Sequence, residues 1–198
     1  MLAINKISEA LDIMDKAKII ISYQLTNYFK DYDYWKSISD DAIKSSKNKT
    51  VIIVDKFTKK CYVYNKEKSM YEFSVELSNN WMCTKLMEND KATPEGIYQI
   101  QSKIPSSTFY KALLISYPNK QDRNRFEQAK KDGRIPVQSK IGGLIEIHGK
   151  GGTGINWTDG CVALSDSDMD RLYDFVEAGT PTIIVGSIKE LSYYFNNN

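Results

Sequence analysis

Histidine is the residue type that this chain most nearly lacks, because His148 is the only one among its 198 residues. Cysteine is scarce too, with three residues at widely separated positions. Protein zinc sites usually draw several cysteine and histidine ligands from close spacings. One histidine and scattered cysteines do not provide such a set, so the sequence predicts neither a metal site nor a cofactor.

Long hydrophobic runs and a strong charge of one sign are also missing. The longest apolar candidate near the start, residues 17–25, contains Lys18 and is far shorter than the roughly 20 residues of a membrane-spanning helix. No secretory signal is recognisable, because an amphipathic pattern begins at once. The 27 basic and 25 acidic residues are mixed and leave a net charge of +2, without the basic stripe of a nucleic-acid site. We expect no membrane span and no nucleic-acid partner, and the oligomeric state stays open.

The chain divides into a helical beginning and a β-rich remainder. Apolar residues recur at helical spacing through residues 1–48, until the polar cluster at 44–49 ends the pattern. Short runs of β-branched and aromatic residues then indicate strands. These runs cover residues 51–55, 61–65, 70–77, 96–102, 112–117, 144–148, 161–164 and 181–186.

The number of these runs predicts a mainly β sandwich or barrel over residues 49–188. The N-terminal helical segment should lie outside it, with few contacts crossing at residues 44–49. Residues 189–198 are expected to form an edge or a frayed tail.

Two further helices are predicted inside the β-rich part. Residues 166–178 should form a helix that packs behind the Cys161 strand, with Ser165 as its cap and Gly179 as its stop. The charged segment 121–133 also has a helical composition. It is either a flap beside the active site or ordinary solvated surface.

His148 and Cys161 are the pair with evident chemistry. His148 ends an alternating, strand-like run, and Cys161 follows a tight turn and begins another apolar run. Two adjacent strand ends would bring imidazole and sulfur together, and a neutral imidazole can take the proton of a thiol. Such pairing lowers the pKa of a thiol, so Cys161 is expected to react faster than Cys61 and Cys83.

Glycines beside both residues favour catalysis over the alternative of a buried cysteine and a structural histidine. Gly149 follows the histidine and Gly160 precedes the cysteine. Without side chains, these positions let backbone N–H groups approach a reacting carbonyl, as an oxyanion hole requires.

The same residues resemble the active-site signature of the L,D-transpeptidase catalytic domain, or YkuD family, which has His-Gly, a variable loop and then Ser/Thr-x-Gly-Cys. Here His148-Gly149 is followed by Thr158-Asp159-Gly160-Cys161. Further resemblance follows in the family's order: an opening hairpin at 51–64, a Thr-Pro-x-Gly turn at 93–96, a segment of the YafK-like branch at 112–125 and a closing strand at 179–185.

The resemblance implies a YkuD-type β-sandwich or barrel and a cysteine acyltransferase. Cys161 would be the nucleophile and His148 the general base. The backbone carbonyl of Gly149 would orient the imidazole, and the N–H groups of Gly160 and Cys161 would hold the oxyanion. Residues implied to contact the substrate are Trp157, Thr158, Asp159 and Tyr117.

By the same resemblance the substrates are stem peptides of peptidoglycan. A stem tetrapeptide would lose its terminal D-Ala as a thioester forms, and an amine from a neighbouring stem would complete a 3-3 cross-link. Such an enzyme works in the cell envelope, so a removed leader or another export route is expected. The alternatives are a carboxypeptidase, endopeptidase or amidase that hydrolyses the same class of bond, and a non-catalytic wall-binding module.

Two positions depart from the family's usual pattern. Most members have His where this chain has Asp159, a position that contributes mainly its backbone. Many have Arg or Asn two residues after the cysteine, where this chain has Ala163. That departure leaves open how the site holds a substrate carboxylate, and a disulfide between Cys61 and Cys83 is left open too.

Overall fold

Two helices precede the sheet. The computed structural model describes residues 2–196, without the side chains of residues 2–5 and Ser8. Helix α1 (Leu2–Tyr28) leads through a 3-10 turn (Phe29–Asp31) into helix α2 (Tyr32–Ser45), so this part of the chain is helical, as its apolar spacing predicts. Within the described range, no helix is both long and apolar enough to cross a membrane.

Eight strands follow, one in each of the runs that the sequence predicts to be strands. They are β1 (Val51–Asp55), β2 (Lys60–Asn65), β3 (Lys68–Ser74), β4 (Gly96–Ser107), β5 (Tyr110–Ile115), β6 (Glu146–His148), β7 (Val162–Ala163) and β8 (Pro181–Val185). The remaining helices are α3 (Lys120–Lys131), α4 (Asp166–Phe175) and α5 (Leu191–Asn196). The mainly β fold is confirmed.

The strands form one mixed sheet that closes on itself. Their order is β3-β2-β1-β8-β4-β5-β6-β7, and only the β1–β8 and β6–β7 neighbours among these strands are parallel. The two ends of this order meet, because Glu76, just after β3, exchanges backbone hydrogen bonds of 2.8 and 2.9 Å with Ala163 of β7. The sheet therefore wraps around one core.

All eight strands contribute buried side chains to this core, and α4 adds Met169 and Leu172. In β1 the side chains alternate between two buried surroundings: Ile52 belongs to this core, whereas Ile53 packs on the opposite face of the sheet. Burial on both faces explains why β1 has a continuous apolar sequence.

Helix α2, together with Tyr28 and Phe29 before it, covers that opposite face. Trp35 of α2 is 3% exposed, and a Cβ on Gly186, directly after β8, would lie 2.1 Å from its ring. The cluster around Trp35 contains Tyr28, Phe29, Ala42, Val51, Ile53, Ile183 and Val185. The expectation that few contacts cross at residues 44–49 is therefore wrong, because β1 and β8 present a second apolar face. The domain boundary at residue 48 stays a prediction.

Two chain segments end differently from the sequence-based expectation. Helix α4 is capped by Ser165, whose Oγ accepts from Asp168 N at 3.2 Å, but it stops at Phe175 because Val176 is extended. The tail predicted as an edge or frayed end instead forms α5, which packs against the Trp35 cluster. Met1, Asn197 and Asn198 lie outside the described residues.

Replacing Trp35 by alanine should lower the free energy of unfolding by about 3–5 kcal/mol, the usual loss for a buried aromatic side chain. Urea unfolding followed by circular dichroism measures it. Tyr34→Ala is the matched control on the same helix, because Tyr34 is 41% exposed and its loss should stay within about 0.5 kcal/mol. If Trp35→Ala lowered the free energy of unfolding as little as Tyr34→Ala, α2 would not support the sheet.

Candidate active site

The neighbouring strands β6 and β7 position the two residues that the sequence singles out: His148 ends β6, and Cys161 directly precedes β7. His148 lies opposite Ala163 in their parallel register. Side chains alternate along a strand, so Glu146 shares the face of His148, and Cys161, two residues before Ala163, lies on that face too. The structure thus brings Cys161 and His148 onto one surface, with Cys161 offset towards Glu146.

The thiol of Cys161 lies among backbone groups of the chain that enters β6. Its Sγ accepts a hydrogen bond from Glu146 N at 3.4 Å and lies 3.7 Å from Leu144 O. Among the described residues, no hydrogen bond joins this sulfur to the imidazole of His148. Cys161 lines a cavity of about 170 Å³, whose other walls come from Lys85, Glu88, Asn89, residues 142–145 and Asp159.

Burial raises the pKa of the Cys161 thiol to about 11. The carboxylates of Glu146 and Asp159 add to this rise, and the N–H of Glu146 and the ammonium of Lys85 oppose it. The expected lowering of this pKa is therefore wrong for the resting site. A neutral imidazole carries no positive charge that could stabilise a thiolate, so the resting cysteine is a neutral thiol.

His148 is almost completely buried, at 1% exposure. Its Nδ1 donates a hydrogen bond to the carbonyl oxygen of Gly149 at 2.7 Å, the contact that the resemblance implies. Phe109 stacks on the imidazole at 4.6 Å, and the Trp157 ring meets it edge-on at 5.6 Å between centroids. Burial lowers the pKa of His148, although the Gly149 bond opposes this. The ring is therefore neutral near pH 7, with its free lone pair on Nε2.

Gly160 is needed for a close backbone approach. Its φ is +126°, and a Cβ there would lie 2.6 Å from Ala92 O. Its N–H, expected in the oxyanion hole, donates instead to Thr158 Oγ1 at 3.3 Å. In this conformation that N–H is engaged within the turn, and its role in an oxyanion hole stays a prediction, as does that of the Cys161 N–H.

Of the four residues expected to contact the substrate, only Asp159 lines the Cys161 cavity. Its carboxylate forms an ion pair with Lys91. Thr158 is buried and donates to Cys161 O at 2.8 Å, which shapes the turn. Trp157 packs against His148. Tyr117 is buried in the core, and its hydroxyl donates to Ile141 O at 3.1 Å. Tyr117 therefore supports the segment that leads into the cavity wall, instead of contacting a substrate directly as expected.

Helix α3 contributes no residue to the Cys161 cavity. A capping box joins Asn119 to Asp122, and Phe126 and Ala129 pack against Ile135. These contacts favour the surface-helix interpretation of segment 121–133 over the flap.

All three cysteines are free thiols. Cys61 is fully buried, and Cys83 is exposed. A general thiol reagent therefore meets Cys83 first, and a selective reaction at Cys161 has to come from the site itself.

Glu76 is the supporting residue that the sequence analysis missed. Its carboxylate is 8% exposed and accepts hydrogen bonds from Gly154 N at 2.6 Å, Trp157 Nε1 at 2.8 Å and Thr153 Oγ1 at 3.0 Å. Burial by itself would raise the pKa of Glu76, but these donors together hold it below its ordinary value. The anionic side chain thus orders the loop between β6 and β7 and places Trp157 against His148.

The one sequence signal for this role is an acidic residue inside an apolar run, Val75-Glu76-Leu77. Such a residue points either to solvent or to a buried partner. Its partners lie 77 to 81 residues further along the chain, beyond the reach of local patterns.

Glu76→Gln should lower the free energy of unfolding by about 1.5–3 kcal/mol at neutral pH, the range for hydrogen bonds to a charged group. Because the folded-state pKa is lowered, this stabilisation is present above the unfolded value of about 4.3 and disappears as pH falls through the folded value. Urea unfolding at neutral and acid pH measures both. Glu72→Gln is the control, since that side chain is 52% exposed. If the loss of unfolding free energy in Glu76→Gln were the same at neutral and acid pH, the role of the Glu76 carboxylate as a buried anion would be contradicted.

Alkylation of Cys161 by iodoacetamide should keep accelerating above the ordinary thiol pKa of about 8.5, towards about 11. Peptide mass spectrometry in a Cys83→Ser background isolates this reaction, because Cys61 is fully buried. A plateau already below pH 8.5 would instead indicate a resting thiolate beside a charged imidazole.

Comparison with known proteins identifies the fold family. The YkuD family, the L,D-transpeptidase catalytic domain, matches residues 49–184, whereas no curated protein matches the chain. Among solved structures, Bd1075 of Bdellovibrio bacteriovorus is 24% identical with a TM-score of 0.50, covering 73% of this chain and 51% of that protein. The helical cell shape determining protein Pgp2 of Campylobacter jejuni is 21% identical with a TM-score of 0.53, covering 76% and 56%.

The chain thus spans about half the length of these solved structures. Their identity to this chain is low, so the likeness shows the fold alone. The family match is broader, because it extends over most of the chain and includes both β6 and β7. This protein belongs to the YkuD family of L,D-transpeptidase catalytic domains.

Proposed function

We propose that this chain is a peptidoglycan L,D-transpeptidase of the cell envelope, with Cys161 as its nucleophile and His148 as its general base. Membership of the YkuD family supports the reaction class. The chain's own residues support the roles, because a thiol that lines a cavity shares a sheet face with a buried imidazole.

One observation carries the proposal: His148 Nδ1 donates to Gly149 O at 2.7 Å. A carbonyl can only accept, so Nδ1 carries the proton and Nε2 keeps the lone pair that a base needs. The lowered pKa of His148 keeps this form populated near neutral pH. Gly149 therefore does for the imidazole what a carboxylate or amide side chain does in other catalytic triads.

Acylation starts from a neutral thiol and a neutral imidazole. His148 takes the proton of Cys161 as the sulfur attacks the carbonyl carbon of the amide before the terminal D-Ala. The N–H of Glu146, 3.4 Å from Sγ, stabilises the negative charge on sulfur, and the N–H of Cys161 donates to the oxyanion. The C–N bond then breaks, and the imidazolium protonates the departing amine of D-Ala.

Transfer reverses these roles on a thioester. His148 takes a proton from the acceptor amine as its nitrogen attacks the thioester carbonyl. The C–S bond breaks, and the sulfur recovers the proton from the imidazolium. An amine of a neighbouring stem gives a 3-3 cross-link, whereas water gives a free carboxylate and makes the enzyme a hydrolase.

Peptidoglycan rich in tetrapeptide stems should release D-Ala and gain 3-3 cross-linked muropeptides when it is incubated with the purified chain. Mass spectrometry of muropeptides detects both products. Cys161→Ala should abolish them, and His148→Ala should slow them at least about 100-fold, the usual contribution of a general base.

Cys83→Ser is the matched control, because this exposed thiol lies outside the residues that line the Cys161 cavity. It should leave the products unchanged. Free D-Ala with tripeptide stems but without cross-links would replace the transpeptidase with a carboxypeptidase. No product from the wild-type chain would favour the wall-binding module.

A further inference from the structure

Two buried lysines of the same domain differ in how their ammonium groups are satisfied. Lys56 is fully buried and donates three hydrogen bonds, to Cys83 O at 2.8 Å, Thr93 O at 3.0 Å and Glu95 Oε1 at 2.7 Å. Its three donors are therefore all used. The Lys85 side chain is 3% exposed, yet among the described residues it donates only to Asp90 Oδ1, at 2.8 Å.

The Asp90 carboxylate has hydrogen-bond donors other than Lys85. Its Oδ1 also accepts from Ala92 N at 3.0 Å, and its Oδ2 accepts from Leu86 N at 2.6 Å and Met87 N at 2.9 Å. These backbone donors hold the turn around Asp90. The Lys85 ammonium keeps two unused donors in a place where bulk water satisfies them poorly, and buried donors without partners are costly.

Lys85 lines the same cavity as the nucleophile. Of the residues that form its walls in the described chain, Lys85 alone is cationic, and Glu88 and Asp159 are acidic. Asp159 is paired with Lys91, outside the cavity lining. Gly142 and Gly143 form part of the wall without side chains. The charge of Lys85 reaches the thiol, because it opposes the rise in the pKa of Cys161.

We propose that Lys85 is the anion-binding residue of the Cys161 cavity and that it holds a free carboxylate of the substrate beside the reacting sulfur. The two unused donors fit a carboxylate, which accepts charge-assisted hydrogen bonds from an ammonium group. The identity of the substrate as a stem peptide rests on the proposed function. The presence of an anion site beside Cys161 does not.

A pair of thiol reagents tests the anion site without any enzymatic turnover. Iodoacetate and iodoacetamide differ only in carrying a carboxylate or an amide, and both release iodide when sulfur attacks. In a Cys83→Ser background, the ratio of their rates at Cys161, normalised to a free thiol, should favour iodoacetate. In Lys85→Met this ratio should fall about tenfold, which corresponds to about 1.4 kcal/mol, whereas Lys85→Arg should keep most of it.

Lys56→Met is the matched control, because it removes an equally buried ion-paired ammonium outside the cavity lining. It should lower stability and leave the reagent ratio unchanged. An unchanged ratio in Lys85→Met, or an equal fall in Lys56→Met, overturns the proposal. The wild-type chain gives a test that needs no variant: D-alanine should protect Cys161 from iodoacetamide at lower concentrations than D-alaninamide, and equal protection contradicts an anion site.

Substrates then show which carboxylate is bound. Amidating the terminal carboxylate of the donor stem should lower its kcat/KM about tenfold in the wild type and have little effect in Lys85→Met. If amidation of the acceptor stem has that effect instead, Lys85 serves the acceptor. If neither amidation matters, Lys85 does not bind the substrate. The two proposals can fail separately. If the chain shows no turnover but its iodoacetate-to-iodoacetamide rate ratio still depends on Lys85, the proposed function is wrong and the anion site stands.

Discussion

The active site depends on the junction at Glu76. Its backbone pairs with Ala163 and joins the two ends of the sheet, and its carboxylate binds three donors of the loop between β6 and β7. Strand β7 has only two residues, so its hydrogen bonds to β6 alone would hold Cys161 loosely. One residue therefore links barrel closure, through its backbone, with loop order and the packing of Trp157 on His148, through its side chain.

The electrostatics of the site follow from burial. Removing the thiol and the imidazole from water disfavours both charged forms, so the pKa of Cys161 rises and that of His148 falls. The resting pair is neutral, so in the proposed reaction the proton moves only as the thiol attacks. Around the sulfur, the N–H of Glu146 and the ammonium of Lys85 favour a thiolate, and the carboxylates of Glu146 and Asp159 disfavour it.

Local patterns were enough to predict the strands and the pair His148 and Cys161, because strand periodicity and glycine-flanked functional residues are visible over a few positions. The roles of Glu76 and Lys85 were not predictable in this way. Each depends on contacts with segments distant in sequence or on a cavity wall that only the fold assembles. The engaged N–H of Gly160 and the buried ring of Tyr117 were missed for the same reason, as was the face of β1 and β8 that Trp35 covers.

The central claim is that acyl transfer passes through Cys161, and the intact mass of the protein tests it most directly. The chain would be mixed with a stem tetrapeptide, quenched in acid within the first turnovers and analysed whole and after digestion. We predict a mass increase equal to the tetrapeptide minus D-Ala, located on the Cys161 peptide and removed by hydroxylamine, which cleaves thioesters. Release of D-Ala without any such adduct, or an adduct that persists in Cys161→Ala, would contradict the account.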